Sequence, residues 1–214
     1  MKKMILILAV MSVLPLVLQA ETEKGKEWTL SILAGEEYSY IKWLGPIPMK
    51  KKPLIAVWLE DSEGRLLRTL SVTGKAAENR WLGKAVERPE SLPVYYHSKA
   101  AADIQESIDA ISSASKGKEP KDRRFPGEFP AETARIRAEV NISYDYNDFY
   151  TKELTDVNGQ PSLIFQSEWD SDKKEYSLKP AGIGSVDGST AVIDADLSHM
   201  TTALKLVDSI LLSW

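Results

Sequence analysis

Two apolar runs joined by a turn sequence constrain the fold of this chain more than any other feature. Residues 53–60 (Pro-Leu-Ile-Ala-Val-Trp-Leu-Glu) form the strongest apolar run beyond the N-terminal segment, and Asp-Ser-Glu-Gly follows at 61–64. Asp and Gly favour a tight turn, because Asp bonds its own backbone and Gly accepts a positive φ. The chain returns through a second apolar run at 66–72, so the sequence predicts a β-hairpin.

Short runs of the same kind recur along the chain. Large apolar residues alternate with small or polar ones, which is typical of half-buried strands. The sequence predicts further strands at 28–33, 38–43, 134–144, 161–169, 176–180, 190–194 and 206–214. Asn158 followed by Gly159 is a strong hairpin-turn signal. Short strands separated by turns at this spacing predict an all-β sandwich or barrel.

The middle of the chain differs from both halves, because residues 80–130 are rich in charge, Ala, Ser and Pro. We predict a long polar insertion here that contains one short helix over 99–112, with Ser98 as its N-cap. Three isoleucines at helical spacing give this helix a narrow apolar stripe: Ile104, Ile108 and Ile111. Residues 113–124, with Gly and Pro among charged residues, predict a solvated loop.

The first twenty residues have the composition of a secretory signal peptide. Lys2 and Lys3 precede an apolar run over 4–18, and a small residue, Ala20, ends the segment. This run of ~15 residues is shorter than the ~20 that a membrane span needs. We therefore expect cleavage after residues 1–20, which leaves a single domain over 21–214 that is exported to the periplasm and is not an integral membrane protein. An uncleaved N-terminal anchor is the alternative.

Charge and cysteine content limit the partners and the chemistry. The formal net charge is −4, which is the opposite of the clustered positive charge on a nucleic-acid-binding surface, so no nucleic-acid partner is expected. The chain has no Cys, which excludes disulfides, thiolate metal sites and Cys nucleophiles. The run Lys50, Lys51 and Lys52 is short and predicts a solvated loop rather than a membrane or nucleic-acid patch.

No segment has the pattern of a nucleophilic triad or of a Gly-rich phosphate loop. We therefore predict no catalytic residue and favour a non-enzymatic protein. The two histidines are His97 and His199, and a divalent-metal pair completed by Asp194 or Asp196 is one interpretation of them. Two ordinary histidines are the other, and no metal site is assigned because no local ligand spacing supports one.

Four segments, in the same order, resemble one protein family. The segments are Pro-Leu-Ile-Ala-Val-Trp-Leu-Glu-Asp at 53–61 (with Gly64 and Arg-Thr-Leu at 68–70), Leu-Pro-Val-Tyr-Tyr-His-Ser at 92–98, Ile-Asp-Ala-Ile-Ser-Ser-Ala-Ser at 108–115 and Asp-Leu-Ser-His-Met-Thr-Thr-Ala-Leu at 196–204. They are similar to motifs of the predicted periplasmic family known as domain of unknown function 2271. The resemblance implies an immunoglobulin-like β-sandwich. It also implies an accessory or binding role in an extracytoplasmic redox or metal-uptake system.

Residues 109–115 also resemble the target sequence at which flavin transferases attach FMN. The matching residues are Asp109, Ser112, Ser113, Ala114 and Ser115. This resemblance implies covalent FMN on the Ser115 hydroxyl, with a flavin transferase or a membrane redox protein as partner. Ser113 and Ser115 depart from the Gly and Thr that the target sequence usually carries.

The alternative for this segment is that it forms the frayed end of the helix predicted over 99–112. If FMN is attached, its isoalloxazine ring carries the redox chemistry. Tyr95, Tyr96 and Trp81 lie nearby in sequence and are then the candidates to cover the ring.

Overall fold

The computed structural model describes residues 27–77, 80, 81, 84–102, 111, 112 and 122–214. The strands are β1 (Glu27–Ala34), β2 (Tyr40–Leu44), β3 (Ile47–Lys51), β4 (Leu54–Glu60), β5 (Leu66–Thr73), β6 (Arg80–Trp81), β7 (Lys84–Ala85), β8 (Ile111–Ser112), β9 (Arg123–Pro126), β10 (Arg135–Asn141), β11 (Leu163–Glu168), β12 (Glu175–Ser177), β13 (Lys179–Ile183) and β14 (Val207–Ser213). The short helices are α1 (Gly74–Ala77), α2 (Pro93–Ala102) and α3 (Lys152–Thr155). The predicted signal peptide, residues 1–20, lies outside the described residues.

Most strands belong to two sheets. One sheet has six strands in the order β13-β11-β10-β4-β5-β8, and the other has four in the order β12-β14-β1-β9. Among the pairings of the described strands, β5 with β8 is parallel and the rest are antiparallel. Two separate hairpins, β2–β3 and β6–β7, complete the strands. The sheets pack face to face, so the predicted all-β sandwich is confirmed.

The main core lies between the two sheets. Alternate residues of β4 (Ile55, Val57 and Leu59) and of β10 (Ile136, Ala138 and Val140) point into it from the six-stranded sheet. Side chains from β1 and β14 meet them from the four-stranded sheet: Trp28, Leu30, Ile210 and Leu212. Burying an apolar side chain of this size contributes about 1.5–3 kcal/mol, so this alternation holds the two sheets together.

A second, smaller core covers the outer face of the six-stranded sheet. Leu54, Ala56 and Trp58 of β4 point to this face, and they pack against a group at the start of α2: Leu92, Val94 and Tyr95. Helix α2 therefore shields β4 from the side opposite the four-stranded sheet. Because both faces of β4 are covered, its sequence is apolar from Leu54 to Leu59 rather than alternating.

The hairpin predicted from residues 53–72 is confirmed as β4 and β5. The Asp61 side chain accepts hydrogen bonds from the backbone N–H groups of Glu63 and Arg65, each at 2.9 Å. Gly64 has φ 80°, a conformation that side chains with a Cβ disfavour. The turn chemistry expected from Asp and Gly is therefore the chemistry that closes this hairpin.

The helix predicted over 99–112 was wrong in its position. Helix α2 begins at Pro93 and ends at Ala102, so Ser98 lies inside the helix rather than at its N-cap. Pro fits the first helical turn, where its missing N–H is not needed. Ser112 is not helical either, because it lies in strand β8 beside β5. Residues 103–110 lie outside the described part of the chain.

The segment predicted as a polar insertion contributes to the sandwich. Strand β9 pairs with β1, and Phe125 enters the main core opposite Trp28. The Asn158–Gly159 signal also has a different use than predicted. Gly159 takes φ 77°, yet it bridges to Asp145 inside a long connection between β10 and β11 instead of closing a tight hairpin.

Residues 190–194, predicted as a strand, make a single bridge, between Asp194 and Ile183. Within the residues that the structure describes, no helix has the length and apolar character needed to cross a bilayer.

Candidate functional site at the hairpin end

Several of the segments singled out in the sequence meet at one end of the sandwich. Strand β4 begins where β10 and β5 end, since Leu54 pairs with Asn141 and Ala56 pairs with Val72. The β2–β3 hairpin precedes β4 directly at this end. We call this region the hairpin end, after the β2–β3 hairpin; the β4–β5 turn lies at the opposite end of the sandwich. The hairpin end comprises β2, β3, residues 72–77, 111, 112 and 141–147, and the side chains that contact them.

Ser112 lies at the hairpin end. Strand β8 pairs in parallel with the last residues of β5, with Ile111 opposite Val72 and Ser112 opposite Thr73. Because the two strands run in the same direction, β8 also points toward the hairpin end. Asp109 and Ser115, the other residues of the predicted FMN site, lie outside the described residues, so FMN attachment at Ser115 stays a prediction.

Positive side chains collect near Ser112. Burial lowers the pKa of Lys51, and the neighbouring charges of Lys75, Arg88 and Lys42 lower the pKa of Lys51 further. Lys75 lies in α1, directly after the strand that pairs with Ser112. Although the whole chain carries a net charge of −4, Lys42, Lys51 and Lys75 lie close enough here for their charges to interact, and we call these three lysines the positive edge. Arg88 is paired with Glu90 at 2.7 Å and is not counted with them. A positive edge of this kind favours an anionic group such as a phosphate.

The aromatic residues named as candidates to cover a flavin ring have different positions. Tyr95 is buried on the side of α2 that faces β4, where it packs against Trp58 with ring centroids 5.4 Å apart and shares a 3.1 Å hydrogen bond with Thr69. It is therefore unavailable to a ligand, which corrects that expectation. Tyr96 is half-buried and donates its hydroxyl to Glu87 at 2.8 Å. Trp81 lies in β6, and its side chain is outside the described part of the structure.

A polar network joins two loops at the hairpin end. The Gln160 amide donates to Asp145 Oδ2 at 2.9 Å and to Thr202 Oγ1 at 2.6 Å, and Thr202 donates to Asp145 Oδ1 at 2.5 Å. The backbone N–H of Thr201 donates to Gln160 Oε1 at 2.7 Å. Burial raises the pKa of Asp145, and the charge of Glu37 raises it further, against the lowering effect of these hydrogen bonds. The network fixes the segment 196–204 against the β10–β11 connection.

Glu139 joins α2 to the six-stranded sheet. Its carboxyl group accepts the backbone N–H groups of Val94 at 3.3 Å and Tyr95 at 2.7 Å, and Ser162 Oγ donates to it at 2.5 Å. The first N–H groups of a helix lack partners within the helix, so Glu139 caps α2 from another element. Burial raises the pKa of Glu139 to about 8. This group is enclosed by structural partners and has no open face for a substrate.

The two histidines make separate contacts. His97 shares a 2.8 Å hydrogen bond with the carbonyl oxygen of Gly188. His199 stacks on Phe149 with ring centroids 3.7 Å apart and an interplanar angle of 3°. Among the described residues, no group of three or more His, Cys, Asp or Glu side chains is arranged to hold a metal ion.

Sequence reasoning missed three features: the Glu139 cap, the Gln160 network and the exposure of Ile41 and Trp43 on the β2–β3 hairpin. It also took the lysines at 50–52 for a loop, whereas Lys50 and Lys51 are the last residues of β3. A signal for the hairpin was present, because Leu44 and Ile47 flank a Gly-Pro turn near that lysine run.

No protein-family model, curated protein or solved structure matches the chain. The resemblance stated from the four sequence segments therefore stays a prediction.

Proposed function

We propose that this chain is an exported accessory or binding protein of an extracytoplasmic redox or metal-uptake system, and that it binds its partner through the positive edge around Ser112. The observation that carries the proposal is the grouping of Lys42, Lys51 and Lys75 at the hairpin end, where Ser112 pairs with Thr73 just before α1, the helix that contains Lys75. The buried carboxyl groups of Glu139 and Asp145 fit the non-enzymatic part of the proposal, because both hold structural elements together.

Site-specific photocrosslinking in an exporting host tests this role. A photoreactive residue replaces Lys75, which is exposed at the positive edge, and the matched control replaces Glu63, which is exposed in the β4–β5 turn at the opposite end. We expect a discrete adduct from position 75 and none from position 63, with the protein recovered in the periplasmic fraction. Equal adducts from both positions, or a cytoplasmic protein, would contradict the proposal.

The second candidate function is electron transfer by covalent FMN on Ser115. It is favoured by the position of Ser112, one residue of the predicted target sequence, because Ser112 lies in β8 at the positive edge and positive charge there complements the FMN phosphate. In the transfer reaction the Ser115 oxygen attacks the FMN phosphate of FAD. A phosphoester bond then forms to Ser115, the pyrophosphate bond breaks, and AMP leaves with the serine proton passed to solvent. The flavin, when attached, supplies the redox chemistry.

Co-expression with a flavin transferase tests this second function. We expect an intact mass increased by one FMN and in-gel flavin fluorescence. Ser115→Ala removes both signals, whereas Ser115→Thr keeps them because it supplies the usual acceptor hydroxyl. Ser113→Gly restores the usual small residue and increases the fraction modified. An unmodified wild-type chain beside a modified positive-control target removes this function.

A further inference from the structure

The β2–β3 hairpin is a two-stranded element separate from both sheets of the sandwich. Its turn places Gly45 at φ 59°, followed by Pro46, and this sign pattern fits a type II′ turn. Two-stranded hairpins are marginally stable alone. This one is held to the sandwich by the Tyr40 hydroxyl, which donates to the carbonyl of Ser143, and by Lys42 and Lys51, whose ammonium groups lie 5.5 and 4.6 Å from the Tyr144 ring centroid.

The register gives the hairpin two different faces. Tyr40 lies opposite Lys51 and Lys42 lies opposite Met49, so these residues share the face that contacts Tyr144. The outward face carries two other pairs, Ile41 with Lys50 and Trp43 with Pro48. Two large apolar side chains of this outward face are mostly exposed, Ile41 at 61% and Trp43 at 62%. Ile47, which pairs with Leu44 at the tip in the register of the other face, is also 62% exposed. Clustered exposure of this kind marks an interaction surface.

The residues of the hairpin itself are positively charged, while the acidic neighbour Asp145 acts on Tyr40, on the face turned to the sandwich. Between Tyr38 and Leu59 the sequence holds four lysines and no Asp or Glu, in a chain whose net charge is −4. Lys50 projects from the outward face itself, next to the exposed apolar side chains. Exposed apolar side chains that include a Trp and are bordered by lysines are typical of surfaces that insert into the headgroup region of an anionic bilayer.

We propose that the outward face and tip of the β2–β3 hairpin dock on the surface of an anionic phospholipid bilayer. Trp43, Ile41 and Ile47 enter the headgroup region, and Lys50 contacts lipid phosphate. This docking goes beyond the proposed accessory role and is independent of FMN, because it uses neither Ser115 nor the side chain of Lys75. It would hold the positive edge around Ser112 close to a membrane-bound partner.

Vesicle flotation with the protein purified from an exporting host tests the proposal, with the intact mass recorded so that all variants share one N-terminus. We expect binding to vesicles of phosphatidylcholine mixed with phosphatidylglycerol and little binding to phosphatidylcholine alone. Binding weakens as salt is added, because surface charges are screened. Trp43→Ser with Ile47→Ser lowers the partition coefficient by about tenfold or more, and Lys50→Glu lowers it for the anionic vesicles. Trp43→Phe keeps binding but removes a blue shift of Trp emission on vesicle addition.

Matched variants separate docking from general surface effects. Val192→Ser removes an apolar side chain that is 70% exposed outside the hairpin, and Lys179→Glu reverses an exposed charge on β13. Both are expected to bind vesicles as the wild type does, and circular dichroism confirms that each variant is folded. Unchanged binding of the Trp43/Ile47 double variant overturns the proposal. So does a wild-type chain that fails to float with anionic vesicles, or a dimer that Trp43→Ser dissociates; the hairpin face would then belong to a protein contact.

Discussion

The carboxyl group of Glu139 in β10 accepts the backbone N–H of Tyr95 in the first turn of α2 at a distance of 2.7 Å, across 44 residues of sequence. The helix begins after Leu92, whose side chain has no hydrogen-bonding group to cap it. The cap is therefore supplied by a strand of the sheet on which the helix packs. This single contact fixes both the start of α2 and its position over β4.

Replacing Glu139 with Ala is expected to lower the free energy of unfolding by at least about 3 kcal/mol. The change leaves the buried N–H groups of Val94 and Tyr95 and the Ser162 hydroxyl without their acceptor, and each unsatisfied buried group costs about 1–3 kcal/mol. Urea unfolding measures the loss. Glu132→Ala, at an exposed position before β10, is the control and should change stability by less than about 0.5 kcal/mol. Equal losses from both variants would refute the capping role.

Stability is expected to depend on pH through Glu139. Burial raises the pKa of Glu139 from its ordinary value of 4.5 to about 8 in the folded chain. Between these values the folded chain holds a proton that the unfolded chain releases, so the contribution is complete below pH 4.5 and is lost as the pH rises to about 8. Glu139→Gln does not titrate and should flatten this slope. Urea unfolding of both proteins across this range provides the test, and parallel curves would count against it.

Two glycines allow the cost of a left-handed backbone to be measured apart from the cost of a steric clash with an added Cβ. Gly64 has φ 80° with nothing within 4 Å of an added Cβ, whereas Gly159 has φ 77° and a Cβ there would lie 2.5 Å from the backbone nitrogen of Asp145. Gly64→Ala should cost about 1 kcal/mol for the left-handed conformation. Gly159→Ala should cost at least about 2 kcal/mol more, because Asp145 and its network must move. Thermal and urea unfolding measure the loss of unfolding free energy in each variant. Equal losses would show that the β10–β11 connection can shift to accommodate the added Cβ.

The strands were predictable where local pattern and tertiary burial agree. Residues 53–59 are apolar because both faces of β4 are covered, and 134–144 alternate because one face of β10 enters the main core. The same alternation places Glu139 on the opposite face of β10. Sequence pattern alone does not show that α2 covers that face, since the helix comes from more than forty residues earlier in the chain.

The candidate site was less predictable, because its parts come from distant segments. Ser98 has the chemistry of an N-cap, yet the helix begins at Pro93, where the buried Glu139 carboxyl accepts the N–H of Tyr95. Asn158 and Gly159 have the chemistry of a hairpin turn. Here the Asn158 side chain donates to the carbonyl of Glu90 at 2.7 Å, and Gly159 allows Asp145 to approach. In each case a long-range hydrogen bond overrides a local preference.

The hydrogen-bond network around Gln160 is expected to stabilise the segment 196–204 against the β10–β11 connection. Gln160→Leu preserves the side-chain volume but removes the contacts to Asp145, Thr201 and Thr202, and it should cost about 2–4 kcal/mol. It should also raise the pKa of Asp145 further, because a hydrogen bond that lowers that pKa is lost. NMR titration of the Asp145 carboxyl carbon measures this shift. Gln166→Leu, which removes only a 3.4 Å contact to Arg137, is the control.

Tyr144 is expected to hold the β2–β3 hairpin against the sandwich. Its ring lies beneath the ammonium groups of Lys42 and Lys51, and such contacts contribute about 0.5–1 kcal/mol each at exposed sites. Tyr144→Leu retains a Cβ at φ 70°, so the backbone strain is unchanged while both ring contacts are lost. Amide hydrogen exchange should become faster across residues 40–51 and stay constant in β4. Tyr146→Leu, which loses a hydroxyl contact to Asp156, should leave hairpin exchange unchanged, and faster exchange in both variants would assign the anchoring to the loop as a whole.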